Sequence, residues 1–204
     1  ITCILSIEPL KHLMQTIEIP WYTTENVSIY AHLNSINNEI ETEIYVPNLS
    51  NGKINIDSID LNINNTNNSI NLLFSAATNL KRSYLNAAIN IKATNDTVIT
   101  NLTWDNNNVN KLFAGEFVAQ TGLSTNNSQL ITNTTILPTE LILQNKSWII
   151  NQATIWSDFS KIIVDNFKIH SNDDQHIVIN GIASNNQTDT IDVQLKDISL
   201  DYID

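Results

Sequence analysis

Glycine is scarce in this chain, at four residues in 204. With so few, a tight loop that cradles phosphate has little to be built from, and neither a Walker A nor a dinucleotide-binding pattern is present. Nucleophile-elbow and metalloprotease patterns are missing too, so no motif marks an enzyme and no catalytic residue is assigned. A single cysteine, Cys3, excludes an intrachain disulfide, a multi-cysteine zinc cluster and a paired-thiol redox motif. Its ordinary role is that of a small buried hydrophobe. Basic residues number ten against 21 acids, a formal charge of -11. Such a surface cannot neutralise a phosphate backbone, which argues against nucleic acid as a partner. Anionic headgroups would also repel it, so any contact with lipid must be made by apolar side chains. No stretch approaches the roughly 18 consecutive apolar residues that span a bilayer as a helix, and Ile1 to Ile7 lacks the basic flank of a signal peptide. Both ends read as cut from a longer protein, with any anchor or export signal in the missing flanks.

What the sequence does contain is asparagine and isoleucine, each roughly one residue in six. Apolar and polar residues alternate over short runs: Val27, Ile29, Ala31, Leu33; Ile59, Leu61, Ile63; Leu85, Ala87, Ile89, Ile91; Val98, Leu102, Trp104; Phe113, Gly115, Phe117; Ile163, Phe167, Ile169; Ile177, Ile179; and Ile191, Val193, Leu195. Period-2 runs of this kind are half-buried strands. Between them lie clusters of turn formers at Ser35 to Asn38, Asn64 to Asn68, Thr94 to Asp96, Asp105 to Asn108, Ser124 to Asn127, Asn172 to Asp174 and Ser184 to Gln187. The spacing suits hairpins and leaves no room for crossover helices, which predicts an antiparallel meander over residues 1–204 as a single β-rich segment. The only helical candidate runs from Ser6 to Gln15, with Ser6 as its cap. At Ser58 the apolar positions slip from Ile54 and Ile56 to Ile59 and Leu61, which predicts a bulge that curves the sheet.

Few residues suggest site chemistry. His170 and His176 bracket Asn172, Asp173 and Asp174 and offer two imidazoles and two carboxylates, but no glycine or third spaced acid completes a calcium loop. A polar turn is the simpler reading, and no metal or other cofactor is expected. His12 and His32 have no evident partner. Trp21, Trp104, Trp148 and Trp156 would form a sugar-stacking platform if exposed, although Trp104 continues an alternating strand and Trp148 and Trp156 flank Ile149, Ile150 and Ile155, which favours packing.

Two blocks of the strand pattern resemble a known family. The first runs through Ile89 and Ile91, then Val98 to Leu102, Trp104 and Asn106, then Gly115 to Phe117, so that a strand ends in Trp-x-Asn and the next opens with Gly. The second starts at Ser147-Trp148 and continues through Ile163 to Ile169, Ile177 to Gly181, Ile191 to Leu195 and Ile198 to Ile203, while Tyr45 to Leu49 followed by Ile54 to Ile63 also fits. In these the chain is similar to the periplasmic part of the TamB family of translocation and assembly module proteins, within the AsmA-like superfamily, in its Bacteroidetes form. The resemblance implies an elongated, curved antiparallel sheet rolled into an open apolar groove, the β-taco. It also implies a periplasmic segment of a protein anchored in the inner membrane, and a role in outer-membrane biogenesis, through phospholipid transport, outer-membrane protein assembly or both. The implied partners are phospholipid acyl chains and, through regions outside this chain, an outer-membrane barrel assembly protein.

On that reading the groove lining is Leu85, Ala87, Ile89, Ile91, Val98, Leu102, Phe117, Ile163, Ile177, Ile179, Ile191, Val193 and Leu195. The structural alternative is that the same face closes against a second sheet as a sandwich core. Two other functions compete: a surface adhesin or carbohydrate-binding β-domain, which predicts exposed tryptophan, and a hydrolase, which predicts carboxylates converging in a cleft.

Overall fold

The computed structural model describes residues 1–9, 11–16, 18–66, 68–80, 83–106, 113–171 and 175–198. It is all-β and antiparallel, with one six-residue helix among the described residues. The chain divides into two compact units, Ile1–Lys92 with Trp104–Asn108, and Ala93–Thr103 with Val109–Asp204.

The first unit carries β1 (Thr2–Ile7), α1 (Lys11–Thr16), β2 (Val27–Asn34), β3 (Glu39–Val46), the short β4 (Leu49–Ser50), β5 (Asn55–Thr66), β6 (Ser69–Leu80) and most of β7 (Ser83–Thr94). Its strands lie in the order β1-β2-β3-β5-β6-β7, with β4 beside β5. Ser6 does not cap a helix. It lies in β1, where Leu5 pairs with Ile29 and Ser6 with Ser28, because a ladder to β2 satisfies this backbone and the helix starts only after Pro9. At the far end of α1, Glu18 takes a positive φ of 58° and Ile19 N–H donates to the Met14 carbonyl at 2.9 Å, which closes the last turn. The register shift expected near Ser58 is present between Ile56 and Ser58, with Asp57 as the extra residue.

The second unit carries most of β8 (Thr97–Asp105), then β9 (Phe113–Asn126), β10 (Gln129–Ile136), β11 (Thr139–Leu143), β12 (Lys146–Ile150), β13 (Ala153–Ser157), β14 (Lys161–Ser171), β15 (His176–Ser184) and β16 (Ile191–Lys196). Although nine strands are separated by their hydrogen bonds, the path is simpler. Strands β10 and β11 both pair with β9 on one side, where the register shifts by one residue across the gap, and with β13 and β12 on the other, where it continues unbroken. They are one strand interrupted at Leu137-Pro138, where proline has no N–H to give to a ladder. Gln144 and Asn145, at φ 49° and 63°, form the two-residue turn into β12, and Asn127 and Ser128, at 50° and 66°, form the one into β10. Two successive positive φ values define the hairpin turn whose twist matches its strands. The unit is thus an up-and-down meander.

Its turns and bulges are held by side chains. Asp158 Oδ1 accepts from Ser160 Oγ at 2.8 Å, Ser160 N at 3.0 Å and Lys161 N at 2.8 Å. These bonds, the Ser160 hydroxyl foremost, hold its carboxyl below the ordinary value. Between Val164 and Phe167 the register shifts. Asn166 sits there at φ 58°, and its N–H donates to Asn180 Oδ1 at 2.6 Å. Gly181, at φ 127°, is required because a Cβ would lie 2.3 Å from the Thr190 carbonyl oxygen.

Candidate functional site

Residues directly opposite one another in an antiparallel pair project from the same face, so the register sorts every paired side chain to one side. In the first unit this yields rows of apolar residues running across the strands. One row is Leu5, Ile29, Ile44, Leu61 and Phe74, and the next is Cys3, Ala31, Thr42, Ile63 and Leu72. Beside them lie Ile7 with Val27, Val46 with Ile59 and Ala76, and Leu33 with Ile40. The opposite face pairs Tyr30 with Glu43, His32 with Glu41 and Tyr45 with Asp60. It carries an amide ladder in which Asn71 Nδ2 donates to Asn64 Oδ1 (3.0 Å), Asn64 to Asn62 (3.0 Å), and Asn62 to Glu43 Oε1 (3.2 Å). The first face is mainly apolar, with Thr42 in one row, whereas the second mixes acids and amides with Tyr30, Tyr45 and the exposed Ile4 and Leu73.

No residue in those apolar rows is buried. Leu5, Leu33 and Ile40 are about half exposed and the others are intermediate, apart from the exposed Cys3. A sandwich core would bury them nearly completely. The lone cysteine is part of this open face rather than of a core.

The second unit differs. Register places Ala119, Ile136, Leu141, Trp148, Ile150 and Ala153 on one face, and all are 2–8% exposed. On that face β14 and β15 add Phe167 with Ile179 and Ile169 with Ile177, and β16 adds Val193 opposite Ile179 and Leu195 opposite Ile177. Cover is lost toward the edge strand: Ile177 and Ile179 are half-buried, whereas Ile191, Val193 and Leu195 are 41%, 57% and 65% exposed.

The residues expected to line a groove therefore fall into groups. Leu85, Ala87, Ile89 and Ile91 alternate along one side of β7 in the first unit and are all half-buried, as is Asn86, while Asn90 and Lys92 are exposed. In the second unit Asn101 Nδ2 donates to Glu116 Oε1 at 2.6 Å. That bond sets Val98 and Leu102 on the face of Phe117, which is also the face of Ile177, Ile179, Ile191, Val193 and Leu195. Ile163 is the exception. It pairs with Ile182 and Trp156 on the opposite face, because the extra residue at Asn166 flips the phase between Val164 and Phe167. The packing role read for Trp148 is observed, whereas the rows on β1, β3 and β6 and the buried Leu141 and Ile150 were missed; on β3 the alternation of Ile40, Ile44 and Val46 was a legible signal, while the runs in β1, β6, β11 and β12 are too short or too uniformly apolar to show one.

Other chemistries find less support. Trp148 is buried, and Trp21, Trp104 and Trp156 are half-buried, so no tryptophan stands out as a sugar platform. His170 lies opposite His176 in the ladder and contacts Asn151 Oδ1 at 3.3 Å. Asn172, Asp173 and Asp174 lie outside the described residues, and among the described residues no group of three His, Cys, Asp or Glu side chains is placed to hold a metal. One shallow recess of about 250 Å³ is lined by Gln152, Ala153, Thr154, Asp165 and Asn166, with a single carboxylate. No helix among the described residues is long and apolar enough to cross a membrane. No family model matches the chain, and no curated protein or solved structure shows significant similarity to it.

Proposed function

We propose that this chain is a lipid-bearing segment of a longer, TamB-like cell-envelope protein, in which the apolar sheet face shelters phospholipid acyl chains while headgroups stay in water. The observation that carries this reading is the set of apolar rows across β1, β2, β3, β5 and β6, none of them buried. A row of five strands spans about 19 Å at about 4.8 Å per strand, against about 15 Å for the hydrocarbon of one leaflet, half of the bilayer's roughly 30 Å. An acyl chain laid along the row from Leu5 to Phe74 would meet apolar side chains throughout and no charged group that fixes its position, which suits transport better than storage. Each sheltered methylene contributes up to ~0.8 kcal/mol. On the opposite face Glu41, Glu43 and Asp60 repel anionic headgroups, and its apolar residues, Ile4 and Leu73 among them, are interrupted by acids and amides, so the continuous rows are the favoured point of contact.

On the same reading the segment stands in the periplasm of a protein anchored in the inner membrane, serving outer-membrane biogenesis, and protein assembly beside a barrel partner is the companion role. The adhesin reading is weakened by the absence of exposed tryptophan. The test is native mass spectrometry of the chain after expression in a double-membraned bacterium with export to the periplasm. Co-purified phospholipid, lost on detergent exchange and regained from vesicles, is the expected result. A lipid-free chain that also fails to take lipid from vesicles would refute the proposal.

A further inference from the structure

Two asparagines precede glycine, the neighbour that least hinders attack on an asparagine side chain: Asn51-Gly52 and Asn180-Gly181. Their surroundings are opposite. Asn180 lies within β15, in extended backbone, and its Oδ1 is engaged by the Asn166 N–H at 2.6 Å. The glycine beside it is walled in by the Thr190 carbonyl. Asn51 lies in the turn from β4 to β5. Its Oδ1 accepts from two backbone amides, Lys53 N at 2.9 Å and Ile54 N at 2.8 Å. The Gly52 N–H donates to Ser50 Oγ at 3.1 Å, and Ser50 Oγ donates onward to Asn55 Oδ1. Gly52 has φ 83° with nothing within 4 Å of where a Cβ would be, and Ser50 is clamped to Tyr22 by two backbone bonds of 2.9 Å.

We infer that Asn51 is a self-modification site, at which the folded turn promotes deamidation of its own side chain. In the reaction the Gly52 nitrogen attacks Asn51 Cγ as its proton is taken up by hydroxide from solvent by way of Ser50 Oγ, which Asn55 Oδ1 holds in place. The negative charge that develops on Oδ1 is met by the Lys53 and Ile54 amides, two donors already aimed at it. The C–N bond to Nδ2 then breaks, ammonia departs with a proton from solvent, and a cyclic imide remains between residues 51 and 52. Water opens that imide at either carbonyl, giving aspartate or isoaspartate. Both products place a new carboxylate beside Lys53, and isoaspartate lengthens the main chain by one carbon, which dismantles the turn that made it.

Peptide mapping by mass spectrometry over a time course at mildly alkaline pH tests the inference on the folded chain. Conversion at Asn51 should exceed that at Asn180 by roughly tenfold or more, the scale on which preorganised donors and a proton acceptor act. In urea the two sites should converge, since local sequence alone then operates. Ser50→Ala should slow conversion at Asn51 severalfold at unchanged circular dichroism, while Ser50→Thr, which keeps the hydroxyl, should retain the rate. If Ser50→Ala fails to fold, Asn55→Ala, which removes the end of the relay, serves in its place. Equal rates at Asn51 and Asn180 in the folded chain, or a rate at Asn51 insensitive to both Ser50→Ala and Asn55→Ala, would overturn it.

Discussion

The difference between the two apolar faces can be measured by placing one carboxylate on each. Leu61 is half-buried in the long row of the first unit, and Ile150 is 3% exposed in the second. In Leu61→Asp the new carboxylate reaches water from an uncovered face and stays ionised. The loss is then part of one leucine's burial, about 1 kcal/mol, from the 1.5–3 kcal/mol of complete burial. In Ile150→Asp the group sits among Leu141, Trp148 and Ile169 with no cationic partner in the ladder. An uncompensated buried charge costs several kcal/mol, about 3–5, a large share of the 5–15 kcal/mol that holds a typical domain together. Urea unfolding followed by circular dichroism should show Leu61→Asp near the parent midpoint and Ile150→Asp strongly shifted or unfolded. In the same preparations Leu61→Asp should carry less phospholipid by native mass spectrometry, because charge interrupts the row where hydrocarbon must lie. Equal destabilisation by the two substitutions would refute the reasoning, since it would mean that the first face is covered as fully as the second.

Other outcomes follow from single contacts. Asn180→Ala leaves the Asn166 N–H at the bulge without its acceptor and should cost about 1–3 kcal/mol in urea midpoints, more than Asn90→Ala on an exposed site. Gly181→Ala should be at least as damaging, because backbone strain at φ 127° adds to a contact of 2.3 Å with Thr190; a variant as stable as the parent would show that the strands part easily there. The lowered Asp158 carboxyl should add stability that is complete above the unfolded value of about 3.9 and lost as pH falls through the lower folded value. Asp158→Asn should therefore lower the melting temperature at neutral pH, where the parent has the whole contribution, and flatten the acid limb of a pH–melting curve below the unfolded value, where the parent loses it.

Sequence alone determined the strands, because hydrophobic alternation at period 2 is a local property, and it determined the turns, because asparagine bonds its own backbone wherever it stands. It also disclosed the bulge at Asp57, where the apolar positions visibly change parity between Ile56 and Ile59. The bulge at Asn166 was hidden for the converse reason. Ile163, Phe167 and Ile169 share a parity that looks unbroken, and only pairing with β15 shows that one residue between them is unmatched and that Ile163 faces away. Ser6 to Ile7 likewise carries both a helix-cap signal and a strand signal, and the choice fell to β2, a partner more than twenty residues distant. Whether an apolar face is open or covered is beyond any local pattern. Ile29 and Ile150 are the same residue in similar strands, yet one is half-buried and the other sealed, because cover depends on what the tertiary structure places against a face and not on the strand's own pattern.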